Sequence, residues 1–215
     1  MSADYGLDPR RVDPEYDRHG GFPVFEPAEP GPGFERFLTA MRRAQDLAVS
    51  ANPDPATWDD AADRVEALVD LLGPHAAGEG VGPANRVPAL PGAGSLLMPP
   101  WTMTKFEADG IELEVTFSRY HVGGNHAVHG GVLPLLFDSM FGMVIHATGR
   151  PISRTAFLHV DYRNVTPVDT TLTARGWLRE AEGRKAFVNA ELRHPDGTLL
   201  AEANGLMIRL LPGQP

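Results

Sequence analysis

The sequence predicts an α+β fold in which an antiparallel sheet curls around one long apolar helix. Three observations carry this expectation. From Val132 to Ile145 the only polar side chains are Asp138 and Ser139, so a helix here is apolar nearly all round and is expected to be buried. On either side of it the period changes to two, as in Ile111-Glu112-Leu113-Glu114-Val115-Thr116-Phe117-Ser118, the pattern of a strand with one wet face. The order is strands, helix, then four strand-like runs read as an antiparallel meander, and an all-apolar helix needs a sheet to cover it.

Taken in order, residues 1–33 hold six prolines with scattered charges and read as an extended or disordered arm. Phe34 to Ser50 repeats apolar residues at helical spacing. A second amphipathic helix is better marked: Asp54 as N-cap, Pro55 in the first turn, a stripe of Trp58, Ala61, Ala62, Val65, Leu68, Val69 and Leu72, and Gly73-Pro74 as the stop. Such stripes usually pack on the parent domain, and that is the expectation here. Residues 76–100 are punctuated throughout by Gly and Pro and read as a linker or a draped loop. The domain division is therefore 1–99 as an N-terminal extension and 100–215 as the α+β domain.

Beyond the central helix, Thr155 to Val165 puts Ala156, Leu158, Val160 and Tyr162 on one face and Thr155, Phe157, His159, Asp161 and Arg163 on the other. Thr171 to Arg179 alternates again. Glu182-Gly183-Arg184-Lys185 makes a two-residue turn, and Pro195-Asp196-Gly197 turns the chain into its last strand.

Composition excludes several functions. The 215 residues contain no cysteine, which rules out disulfides, Cys-ligated zinc and thiol catalysis and fits a reducing cytoplasm. No run of eighteen apolar residues and no signal core appears, so the expectation is a soluble, untargeted, cytoplasmic protein with no membrane partner. The net charge of −9 is concentrated in residues 1–80, with 16 acids against 7 Lys or Arg, whereas 81–215 balances at 12 against 12. Nucleic acid is not expected as a partner, because its binding needs a basic footprint.

The candidate for chemistry is Asp138, a lone carboxylate in an oily segment, which burial penalises unless it is put to use. At 3.6 residues per turn, Gly131, Pro134 or Leu135, Asp138 and Gly142 share a face, and the glycines leave a groove beside the acid. His129-Gly130-Gly131 opens the helix, where free N–H groups can hold a developing oxyanion. The competing reading is an ordinary turn and a hydrogen-bonded core acid. His121, His126 and His129 lie close in sequence but lack a carboxylate or Cys at ligand spacing, so no metal is expected.

His129-Gly130-Gly131 with Asp138 nine residues after the His, Thr155-Ala156-x-Leu158-x-Val160-x-Tyr162-Arg163-x-x-x-Pro167, and Glu182-Gly183-Arg184-Lys185 together resemble the hotdog-fold acyl-CoA thioesterases of the PaaI-like branch. The resemblance covers roughly residues 100–210. It implies a hotdog domain and hydrolysis of an acyl-CoA to a free acid and coenzyme A. It also implies a homodimer or dimer of dimers with sites between subunits, and no cofactor beyond coenzyme A as part of the substrate. Asp138 would be the catalytic carboxylate, as general base on a water or as direct nucleophile. Gly130 and Gly131 would polarise the thioester carbonyl, His129 would shape their turn, and Thr155 of the partner chain would position the water. Asp161 with Arg163, and Arg184 with Lys185, would hold the nucleotide and pantetheine.

One part of the pattern departs. Many relatives carry an Asn six residues before the His and a Gly three before it, whereas here Gly123 and His126 stand at those positions and Asn125 is displaced by two. Asn125 is the candidate for that loop role. Two other functions compete: an enoyl-thioester hydratase, disfavoured because Met143 stands where such relatives carry a His, and a noncatalytic acyl-CoA sensor using the acidic N-terminal helices as its partner surface.

Overall fold

A computed structural model describes residues 26–211 except Glu79. The first 25 residues of the expected arm lie outside the described residues. Among the described residues the strands and α-helices are α1 (Pro32–Ala48), α2 (Pro55–Leu72), β1 (Trp101–Glu107), β2 (Gly110–Thr116), β3 (Val122–Gly124), β4 (Ala127–Val128), α3 (Val132–Ala147), β5 (Ser153–Tyr162), β6 (Thr171–Glu182), β7 (Lys185–Arg193) and β8 (Leu199–Arg209). Six strands make one antiparallel sheet in the order β1-β2-β6-β7-β8-β5, and β3 and β4 form a separate ribbon. The sheet wraps α3, which is the hotdog arrangement.

The expected four-stranded meander is corrected in one respect. β6, β7 and β8 follow one another, but β5 crosses to the far edge and pairs with β8. A two-residue Gly183-Arg184 connection, with Gly183 at φ 54°, closes β6 onto β7, and that tightness keeps consecutive strands adjacent. Between β5 and β6 the chain instead spends eight residues returning across the fold, so β5 is free to pair elsewhere.

The core is built where period two meets period 3.6. Leu133, Leu136, Phe137, Met140, Phe141, Val144 and Ile145 of α3 are buried at i, i+3, i+4 spacing. They pack on Ile111, Leu113, Val115, Leu172, Ala174, Val188, Ala190, Leu192, Ala201, Ala203 and Met207 from alternate positions of the strands. Gly205 allows the closest approach: a Cβ there would press into the Phe141 ring and stand 2.5 Å from the Phe157 carbonyl oxygen.

β5 also departs from simple alternation. Its register against β8 slips between Thr155 (opposite Met207) and Phe157 (opposite Leu206), so a bulge intervenes. Residues directly opposite share a face, and Met207, Ala203 and Gly205 are core-facing. The bulge therefore moves Thr155 onto the helix side with Leu158 and Val160, away from the Phe157, His159 and Asp161 face on which alternation had placed it.

In the extension, Asp54 caps α2 as read, accepting from Thr57 N–H at 2.8 Å, and the helix ends at Gly73. Its apolar stripe does not pack on the parent domain. No residue of α2 is buried, and Val65, Val69 and Leu71 are 60, 63 and 66% exposed. α1 is the helix that docks, with Leu38 buried and Arg42 reaching into the loop before β1. No described helix is long and apolar enough to cross a membrane.

Candidate active site

α3 presents a second face that the sheet does not cover. Gly131, Asp138 and Gly142 on it are exposed, and Pro134, Leu135 and Met143 are half-buried. The shared face read from helical spacing is thus formed, but the burial inferred for it is corrected. Asp138 stands outside this chain's core, because an α-helix lying on one concave sheet has only one face covered. Hydropathy alone does not reveal which apolar residues face the sheet and which are left uncovered.

The turn into α3 is held from several sides. β3 and β4 are joined by Asn125 and His126, both left-handed at φ 47° and 57°, as a two-residue hairpin of the twisted-strand type requires. Asn125 is therefore exposed at a hairpin tip. The hairpin lies tight on the turn: a Cβ at Gly123 would meet His129 Cα at 2.8 Å. The His129 N–H donates to the His121 carbonyl at 2.8 Å, and the Val132 N–H to the His129 carbonyl at 2.9 Å.

His129 closes the turn with its ring, and this alters the donor inventory. The Gly131 N–H donates to His129 Nδ1 at 3.0 Å, so the ring is bare at that nitrogen and Gly131 is not a free donor. Of the two donors expected, only Gly130 remains: among the described residues no acceptor meets its N–H. Its carbonyl, in the next peptide, accepts from the Tyr162 hydroxyl at 2.8 Å, while the peptide that carries the Gly130 N–H is held by its His129 carbonyl on the Val132 N–H.

Gly130 opens into a groove of about 480 Å³ lined also by Val128, Leu133, Tyr162, Arg163, Asn164 and Val165. Its far wall is pinned, with Arg163 and Asn164 N–H both donating to the Leu200 carbonyl and the Asn164 side chain to the Leu199 carbonyl at 2.8 Å. Arg163 pairs with Glu202 at 2.6 Å and Asp161 at 3.2 Å, and these acids hold its guanidinium above the usual arginine range, Glu202 most of all.

Within one chain the structure brings together Gly130, Tyr162 and Arg163, with Asp161 beside Arg163. It does not bring Asp138, Thr155, Asn125, Arg184 or Lys185 into that groove. Thr155 lies on the outermost strand, its hydroxyl on Met207 Sδ at 3.2 Å. Arg184 donates two hydrogen bonds to the Arg209 carbonyl, at 3.1 and 2.8 Å, bracing the β6–β7 turn, while Lys185 is exposed beside it.

The three loop histidines do not converge. His121 is occupied by Ser118, whose N–H donates to its Nδ1 at 3.0 Å, and its ring stands edge-on to Phe117. Burial first, then the charge of Arg42, pushes its imidazole below the usual histidine range. No group of three metal-ligating side chains occurs among the described residues. Sequence reading missed Tyr162 as an anchor, although a Tyr at a strand end beside an Arg was a usable signal.

Comparison with known proteins bears on this geometry. Residues 125–201 match the model of the Thioesterase superfamily. Acyl-coenzyme A thioesterase THEM4 of Rattus norvegicus is 35% identical over 89 residues, 41% of this chain and 38% of that protein, and the Xenopus laevis protein of the same name is 35% identical over 86 residues, 39% and 38% of the two chains. The chain thus spans well under half the length of these curated relatives. A crystal structure of a thioesterase superfamily protein superposes with a TM-score of 0.73 at 26% identity, covering 84% of this chain and 97% of the other. The α+β domain alone is only about half of this chain, so that likeness extends into the helical extension, for which the sequence suggested no counterpart.

Proposed function

We propose that the protein hydrolyses acyl-coenzyme A thioesters to a free acid and coenzyme A, a reading supported by the match of residues 125–201 to the Thioesterase superfamily and by the likeness to a solved thioesterase superfamily protein. The observation that carries this reading is the pairing of two features of α3: a carboxylate, Asp138, on its uncovered face, and at its leading turn Gly130, which lines a groove and whose N–H meets no acceptor among the described residues.

A thioester carbonyl has weak resonance stabilisation, so a positioned water, a base and a hydrogen-bond donor suffice. In the proposed step a water attacks the acyl carbon while its proton passes to the Asp138 carboxylate. The oxyanion forms against the Gly130 N–H, then the C–S bond breaks and the coenzyme A thiolate leaves. Thr155 holds the water, and Asn125 assists at the carbonyl. Arg163 with Asp161, and Arg184 with Lys185, attract the phosphates of coenzyme A, for which guanidinium forks are suited. Direct attack by Asp138, through an acyl anhydride that water then opens, is the variant of the same reading.

The active unit proposed is at least a homodimer. The uncovered α3 face carries half-buried Leu135 and Met143, and among the described residues β5 is an edge strand of the sheet, with Phe157 46% and Tyr162 55% exposed, followed by Val165 at 73%. An apolar edge strand of this kind is a template for pairing with another chain. A second copy also supplies what one chain lacks, a wall opposite Asp138.

The test is a panel of acyl-CoA substrates followed by release of free thiol, with Asp138→Ala run beside the wild type. Turnover of at least one acyl-CoA, reduced about 10²-fold or more in the variant, is expected; equal turnover by both would refute the assignment.

A further inference from the structure

The extension reaches both halves of the proposed site through two side chains of α1. Asp46 Oδ1 accepts from the Tyr120 N–H at 2.9 Å, across 74 residues of sequence. Tyr120 sits in the single turn 119–121 with His121, whose carbonyl receives the His129 N–H, and His129 Nδ1 in turn receives the Gly131 N–H. An unbroken run of short contacts therefore joins α1 to His129, whose carbonyl shares a peptide group with the Gly130 N–H.

Arg42, one turn earlier on the same helix, works on the other half. Its guanidinium donates to the carbonyls of Ser95 at 2.7 Å, Met98 at 3.2 and 3.3 Å, and Pro91 at 3.4 Å. Gly92 stands in left-handed geometry there, and a Cβ on it would come within 3.2 Å of Arg42. The loop so gathered places Met98 Sδ against the Ser139 hydroxyl at 3.0 Å, on the residue next to Asp138. A planar fork meeting several carbonyls is a contact lysine does not reproduce.

We propose that Arg42 and Asp46 are positioning residues: α1 braces the Gly130 turn through Tyr120 and the Asp138 segment through the loop that carries Met98, making the extension a working part of the catalytic domain. This rests on the thioesterase reading given above. Catalytic geometry tolerates little displacement, and an error of about 1 Å can cost 10²-fold in rate. Neither side chain touches substrate in this account, so their loss acts on the turnover step.

The experiment compares Asp46→Ala, Asp46→Asn, Arg42→Ala and Arg42→Lys in the full chain, measuring kcat, KM, melting temperature and backbone amide exchange. Asp46→Ala is expected to lower kcat about tenfold with KM within about twofold, and Asp46→Asn, which keeps an acceptor oxygen, to recover most of the loss. Arg42→Ala is expected to do the same without rescue by Lys. In Asp46→Ala, amides of residues 118–132 should exchange faster, and in Asp46→Asn they should not. Unchanged kcat in both alanine variants of a hydrolysing enzyme, or equal losses in Asp46→Asn and Asp46→Ala, would overturn the proposal. If the wild type hydrolyses no acyl-CoA, the thioesterase reading fails by itself. Amide exchange then decides the link alone: faster exchange upholds it, and unchanged exchange in 118–132 overturns it.

Discussion

Gly205 is the point at which the helix and the sheet come closest, and replacing it with alanine tests how the domain is held together. The new methyl would press into the fully buried Phe141 ring, stand 3.1 Å from its Cδ2 and 2.5 Å from the Phe157 carbonyl oxygen. Ordinary carbon contacts need about 3.5 to 4 Å, so roughly 1 Å of movement is required. Phe141 is fully buried, and the Phe157 carbonyl belongs to the backbone of the edge strand. Overpacking usually costs about 1–3 kcal/mol, and a rigid backbone wall places this case at or above the upper end. At about 2–4 °C per kcal/mol for a chain of this size, the melting temperature should fall by roughly 6–12 °C. Gly142→Ala is the matched control. It lies on α3 next to Phe141, with nothing within 4 Å of the added methyl, so the gain in helix propensity, about 0.5–1 kcal/mol, should raise stability within a single chain. Thermal and urea melts of both variants measure this. A Gly205→Ala melt within about 2 °C of wild type would refute the packing described.

Three further outcomes follow from particular contacts. Tyr162→Phe removes the hydroxyl that holds the Gly130 carbonyl, and should cost about 0.5–1.5 kcal/mol in urea melts and lower kcat more than it raises KM. His121 has its imidazole pushed below the ordinary range by burial, so the unfolded chain takes up the proton first on acidification. Its contribution is intact above about pH 6.5 and is lost as the pH falls below it, so wild-type melts should drop more between pH 7.5 and 5 than those of His121→Asn. Asp196 is held at about 2, chiefly by the Thr198 N–H, then by the Thr198 and His194 side chains. Its contribution is present above about pH 4 and lost as the pH approaches 2, so the gap between wild type and Asp196→Ala should close over that interval.

Much of the fold was legible because burial in this domain follows simple periods. Alternation located β2, β6 and the two-residue turn at Gly183-Arg184, and an apolar run located α3. What failed did so for identifiable reasons. Hydropathy does not distinguish a face covered by the chain's own sheet from one left open, so it predicts Asp138 inside where the structure has it outside, and it predicts a packed stripe on α2 where the structure leaves that stripe unburied. The β5 bulge is a backbone event with no side-chain signal, and it reversed the face of Thr155. The withdrawal of Gly131 as a donor depends on where the His129 ring turns, which spacing does not fix. Arg42 and Asp46 meet their partners across 56 and 74 residues, and nothing local in α1 marks those contacts.

The central claim is that the Asp138 carboxylate performs the hydrolysis, and Asp138→Asn tests it with almost no change of shape. Measured on the best substrate of the acyl-CoA panel, with the melting temperature and oligomeric state checked on the same preparation, the amide should leave KM nearly unchanged and reduce kcat by about 10²-fold or more. A variant that folds and assembles like the wild type and turns over within about twofold of it would contradict the account.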